Sequence, residues 1–109
     1  MDLIRLGAKT ATTVSRFTGA TGSTVTADPN GRLWVAWYRG HLSASVLFVR
    51  RSDTAAKTFG KVHQVPLPGG TSVLWKVYLS AQSGRLDVLA LLTVHGNIAY
   101  WTTQVLPPK

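Results

Sequence analysis

The chain of 109 residues contains no cysteine and no glutamate. Without cysteine there is neither a disulfide nor a thiolate metal ligand, and nothing assigns a redox compartment. Without glutamate the four acids are all aspartate (Asp2, Asp28, Asp53 and Asp87), set against twelve Lys and Arg for a balance of +8. Long apolar runs are missing too. Runs such as residues 88–92 fall far short of the ~20 residues that a membrane-spanning helix needs. The opening Met-Asp-Leu-Ile-Arg-Leu-Gly lacks the basic-then-apolar order of a secretory leader, so a soluble protein without a membrane partner is expected. No ten-residue stretch keeps a helical period free of Gly, Pro or a β-branched run.

Strand formers are plentiful. Val, Thr and Ile number 12, 13 and 2, about a quarter of the chain, and their stiff branched side chains suit a pleated sheet. The expected class is all-β in a single compact unit. The positive charges are scattered singly, with only Arg50 and Arg51 adjacent, whereas nucleic-acid binding favours a clustered footprint. The charge balance reads as a solubility device or a weak polyanion preference.

The chain repeats itself. Asp28-Pro29-Asn30-Gly31-Arg32-Leu33 introduces one apolar strand, and Ala81-Gln82-Ser83-Gly84-Arg85-Leu86 introduces another. With Arg85 set on Arg32, an offset of 53 residues, Val88 falls on Val35 and Tyr100-Trp101 on Leu47-Phe48. Upstream, Lys57-Thr58 falls on Lys9-Thr10 and Val62 on Val14, an offset of 48. A repeat of roughly 50 residues with four strands per copy is the pattern of a β-propeller blade.

The strands expected are an outer D strand at 12–17 within a segment 8–17, then A at 23–27, B at 33–38, C at 45–50 and D at 62–65, making a first blade over 23–66. A second blade over 74–106 has A at 74–80, B at 86–93 and C at 98–104, with no D. Asp28-Pro29-Asn30-Gly31 suits a tight A–B turn, Pro29 presetting φ and Asn30 and Gly31 supplying left-handed positions. Arg39-Gly40-His41 and His95-Gly96-Asn97 are expected to close the two B–C hairpins. Both B strands are apolar on both faces (Leu33, Val35 and Trp37 against Trp34, Ala36 and Tyr38; Leu86, Val88, Ala90 and Leu92 against Leu89 and Leu91). Such strands need cover on both sides, which stacked blades supply. Trp34, Trp37, Trp75 and Trp101 are accordingly expected in the core.

The strand order D, A-B-C-D, A-B-C means that the leading D strand is the one the second blade lacks. Two blades cannot close a propeller, which has about four to eight. A lone pair would leave two outer faces open, each roughly 400 Å² in flat projection, and an unpaired C edge along 98–104. Head-to-tail copies that lend 12–17 to a neighbour's last blade would remove both problems and close a ring. An excised piece of a longer chain and a two-sheet sandwich monomer are the alternatives.

Ser52 to Phe59, Ser-Asp-Thr-Ala-Ala-Lys-Thr-Phe, lies between two strand-like runs and resembles the Asp-box (BNR) repeat of sialidase-like propellers, Ser-x-Asp-x-Gly-x-Thr-Trp. Ser52, Thr58 and Phe59 match, while Thr54 stands at the Asp position and Ala56 at the Gly position. Residues 28 to 37 look like the A–B hairpin of those blades, and the likeness extends over about residues 8 to 106. In that family the box is a structural C–D turn on the face away from the active site, so the resemblance implies fold, not chemistry. Six blades in similar sialidases imply a trimer.

Sialidase chemistry needs a tyrosine activated by a glutamate, and glycosidases generally need two carboxyls at a set separation. With no glutamate, with Asp28 and Asp53 in turns, and with Asp87 on a strand where an arginine pair is expected, no enzyme, cofactor or metal site is expected. The resemblance places ligands on the face shared by the D–A and B–C loops. There Arg39, His41, His95 and Asn97 would stand near Trp75 and Lys76 at the start of the second A strand. Aromatic rings beside hydrogen-bond donors suit a sugar. The expected function is a carbohydrate-binding, homo-oligomeric propeller unit, and the alternatives are a ligand-free self-assembling scaffold and a weak polyanion binder.

Overall fold

A computed structural model describes residues 2–3, 12–13, 22–39 and 45–106. Among them there is no helix. Nine strands follow in order: β1 (Asp2–Leu3), β2 (Thr12–Thr13), β3 (Gly22–Ala27), β4 (Leu33–Arg39), β5 (Val46–Arg51), β6 (His63–Gln64), β7 (Thr71–Gln82), β8 (Arg85–Val94) and β9 (Asn97–Val105). They form a four-stranded antiparallel sheet β3-β4-β5-β6, a three-stranded antiparallel sheet β7-β8-β9, and a two-stranded ladder β1-β2.

The expected A, B and C strands are all present, with two changes. The D strand expected at 62–65 is only His63–Gln64, and the second A strand starts three residues early, at Thr71. Thr12 and Thr13 pair with Leu3 and Asp2, and the rest of the segment expected to be lent to a neighbour, residues 14–17, lies outside the described residues.

The sheets stack face to face. Trp34, Ala36, Tyr38, Leu47 and Val49 from the first meet Leu74, Val77, Leu86, Val88, Ala90 and Leu92 from the second in one core. β7 packs against β3 and β4 where the sheets touch. Each aliphatic side chain so buried stabilises the stack by about 1.5–3 kcal/mol. β4 is buried from Trp34 to Tyr38 without a break, so its odd-numbered face is covered as well. On that second face Val35 and Trp37 pack with Phe48 and Phe59, and the Trp37 and Phe48 rings stack with centroids 5.8 Å apart.

Turn chemistry fixes the register. In the β3–β4 hairpin the Asp28 Oδ1 accepts from the Asn30 and Arg32 amides at 2.8 and 2.9 Å, and Gly31 sits at φ 87°. This side-chain bonding to nearby amides is what makes aspartate a turn former. The β8–β9 hairpin turns on His95 (φ 48°) and Gly96 (φ 81°), two left-handed residues in a row as a tight two-residue hairpin demands. The Arg39-Gly40-His41 turn extends outside the described residues.

Candidate functional site

β8 alternates strictly. Leu86, Val88, Ala90 and Leu92 point into the core, which sends Leu89 and Leu91 to the other face. Register then sets their neighbours. Leu89 lies between Tyr78 and Thr102, Leu91 between Lys76 and Tyr100, and Thr93 is paired with Ile98. The outer face of the second sheet therefore carries Tyr78, Leu89, Leu91, Ile98 and Tyr100 together, with Ile98 71 % and Tyr100 78 % exposed. A depression of about 570 Å³ runs over this face beside Tyr78, Leu89 and Thr102 down to Asp87 and Gln104. The cover expected on both sides of each B strand is complete for β4 and missing on one side of β8.

β9 forms one margin of that face. Its nine residues include no charge, no Pro and no Gly, and its pairing with β8 runs without a register shift. Among the described residues nothing pairs with its other edge. Edge strands of monomers are ordinarily blunted by a charge, a proline or a bulge. β7, the opposite margin, has two register shifts and carries Lys76.

The residues expected to bind a ligand divide between two places. Trp75 is not in the core: it is 54 % exposed, and its Nε1 donates to Thr93 Oγ1 at 2.9 Å. A register shift between Leu74 and Lys76 breaks the alternation, so Leu74 and Val77 both point inward and Trp75 is turned out. The Lys76 ammonium lies 5.7 Å from the Tyr78 ring centroid on the same outer face. His95 and Asn97 sit instead on the hairpin rim, where the His95 amide donates to Gly70 O at 3.1 Å and the Asn97 Nδ2 to His95 O at 3.5 Å. Gly70 accommodates this contact, because a Cβ there would stand 2.4 Å from the His95 ring. Arg39 ends β4 opposite Val46, and the neighbouring Ser45 hydroxyl donates to Ser72 O at 3.1 Å, which brings the first sheet to the same rim. His41 lies outside the described residues. Trp34 and Trp37 are buried as expected, and Trp101 is half-buried against the core.

The turn from Ser52 to Phe59 is built as a closed box. Ser52 and Phe59 form a bridge, the buried Ser52 Oγ accepts from the Leu33 amide at 2.8 Å, and Phe59 packs toward Val35 and Trp37. Ala56 is left-handed at φ 57°, the conformation for which the resembled motif places a glycine. Thr54 is exposed, and Asp53 braces the loop instead. Its Oδ1 accepts from the Lys57 amide at 2.9 Å and the Thr58 amide at 3.5 Å, and its Oδ2 from Thr58 Oγ1 at 3.1 Å. Those bonds, the Lys57 amide first, hold the Asp53 carboxyl below its ordinary value. Sequence reasoning gave Asp53 no such part, although an acid four residues before a braced amide is a readable turn signal. Asp87, the strand acid, pairs with Arg85 at 3.0 Å.

Among the described residues no three His, Asp or Glu side chains come together as metal ligands would. No family model, curated protein or solved structure matches the chain.

Proposed function

We propose that the chain is a non-catalytic, propeller-forming unit of two blades whose working state is an assembly of copies. The observation that carries this is the bare outer face of the second sheet, bounded by an uncharged and regular edge strand. Three strands at ~4.8 Å spacing and about 30 Å long present roughly 400 Å² in flat projection, and an apolar patch of that order on a protein surface is often an interaction site. The occupant is a second copy. Its own two sheets already stack face to face through side chains of the same kind, and a third sheet laid on Leu89, Leu91 and Tyr100 would extend that stack. A strand along β9 would complete four strands in the second sheet, as in the first. The repeat points to residues 12–17 of the neighbour for that role, in exchange for the short ladder with Asp2 and Leu3. Repetition of one heterologous contact closes a ring when the rotation fits, and six blades from three copies is the closure favoured.

The test is mass in solution together with the charge-inserting substitution Tyr100→Lys. The assembly reading expects an oligomer that this substitution dissociates without unfolding the chain. A wild-type monomer rejects it.

A second reading uses the same face differently. The exposed Trp75 ring, anchored through Thr93 and next in sequence to Lys76, is an aromatic platform beside a donor, the arrangement that receives the apolar side of a sugar. Arg39, His95 and Asn97 on the adjoining rim would add hydrogen bonds. A glycan array probed with the wild type and Trp75→Ala separates the readings. Saccharide binding lost in the variant supports the lectin-like role, and a blank array leaves the scaffold.

A further inference from the structure

We propose that the cleft between Arg32, Arg51, Lys61 and His63 is a binding site for a sulfate or phosphate group, free or carried on a saccharide. The cleft, about 260 Å³, lies where the β3–β4 turn meets the Ser52–Phe59 box, remote from the bare face of the second sheet. Its cations come from three separate segments. Arg32 follows the Asp28 turn, Arg51 ends β5, and Lys61 precedes β6, whose first residue, His63, adds an imidazole to the lining.

The lining stays net positive with its ionised acid counted, since Arg32, Arg51 and Lys61 stand against Asp53 alone. Asp53, the one carboxylate lining the cleft, spends both oxygens on the Lys57 and Thr58 amides and the Thr58 hydroxyl. Asp28 is buried, and its Oδ1 accepts from Asn30 and Arg32 amides. Arg50, next in sequence to Arg51, is turned to the Gly60 and Phe59 carbonyls. Arg51 is left facing the cleft with its guanidinium 5.5 Å from the Trp34 ring centroid, a stacking that fixes the fork in place. Burial first, and the charge of Arg32 second, pull the Arg51 guanidinium below its ordinary value, with Asp28 acting the other way. An anion between the two guanidiniums would relieve their repulsion. A tetrahedral oxyanion matches this set because it accepts from several donors at once and pairs two-pronged with arginine.

The site does not depend on assembly, since every residue belongs to one chain. The test is a titration of the isotope-labelled protein, followed by amide chemical shifts, with sodium sulfate, sodium phosphate and a heparin-derived tetrasaccharide at constant ionic strength. Saturable shifts at Arg32, Arg51 and Lys61 are expected. Arg51→Gln and Lys61→Gln should each weaken binding about tenfold, as the loss of one charge-assisted bond does, while Arg85→Gln should not. Saturation by the inorganic ions assigns a free-anion site, and saturation by the tetrasaccharide alone assigns a saccharide-borne group. Should Arg51→Gln unfold the chain by releasing Trp34, Lys61→Gln, on an exposed loop, carries the comparison. The proposal fails if shifts merely track ionic strength as with sodium chloride, if Arg85→Gln weakens binding equally, or if only duplex DNA binds.

Discussion

Leu91 and Tyr100 lie directly opposite each other across β8 and β9, and both face away from the core. Directly paired side chains on one face of a sheet are its unit of stabilisation, so in the proposed assembly a stacked partner would meet them as one surface. Tyr100→Lys places a charge at the centre of that surface while leaving the β8–β9 backbone pairing intact. The oligomer is expected to dissociate, read as a drop in mass, with the far-ultraviolet circular dichroism and melting curve of a folded sheet retained.

Ser52 joins the two turns of the first sheet through the Leu33 amide. Ser52→Ala leaves that half-buried amide without its acceptor, at a cost of about 1–3 kcal/mol. Urea denaturation should show the midpoint fall with the slope unchanged. Ser52→Thr, which keeps the hydroxyl, should recover part of the loss.

Ala56 has a left-handed backbone that an L side chain adopts only at a penalty. Ala56→Gly removes the penalty and raises unfolded-chain entropy, for a net gain of about 0.5–1 kcal/mol. A higher urea midpoint is the expected result, and a lower one would mean that the Ala56 methyl contributes packing that outweighs the strain.

Asp53 supplies a pH dependence of known sign. Its folded-state pKa is depressed by the Lys57 and Thr58 donors, so the carboxylate stabilises the fold above the unfolded value of about 3.9. That contribution is lost as pH falls below this value and through the lower folded one. Melting temperature should therefore decline on acidification below about pH 4, and Asp53→Asn should flatten the decline relative to the wild type.

Much of the fold is legible in the residues because it follows from alternation and turn chemistry. Leu33 to Tyr38 is apolar on both faces and is buried on both from Trp34 onward, and Asp28-Pro29-Asn30-Gly31 makes the turn its composition requires. What alternation cannot reveal is where it breaks. The shift beside Trp75 inverts the phase of β7, so a bulky residue expected inside stands on the surface. Nor does a motif comparison reveal that Asp53, one residue before the motif's acid position, takes over the bracing of the box. The candidate ligand residues were only half readable as a group. His95 and Asn97 share the rim with the end of β4, while Trp75 and Lys76 belong to the flat face, because the loops that position them are set by the packing of one sheet on the other. The Arg32–Arg51 cleft escaped sequence reasoning for the same reason: its cations are far apart in the chain, and only the meeting of two turns collects them.

The claim on which the account turns is that another copy of the chain covers the outer side of Leu89, Leu91 and Tyr100. Light scattering on the chromatographed protein measures this most directly. The account predicts a mass of two or more copies of the 11.8 kDa chain, with three favoured, collapsing to one copy in Tyr100→Lys. A folded wild-type chain that stays at 11.8 kDa across the accessible concentration range would contradict it.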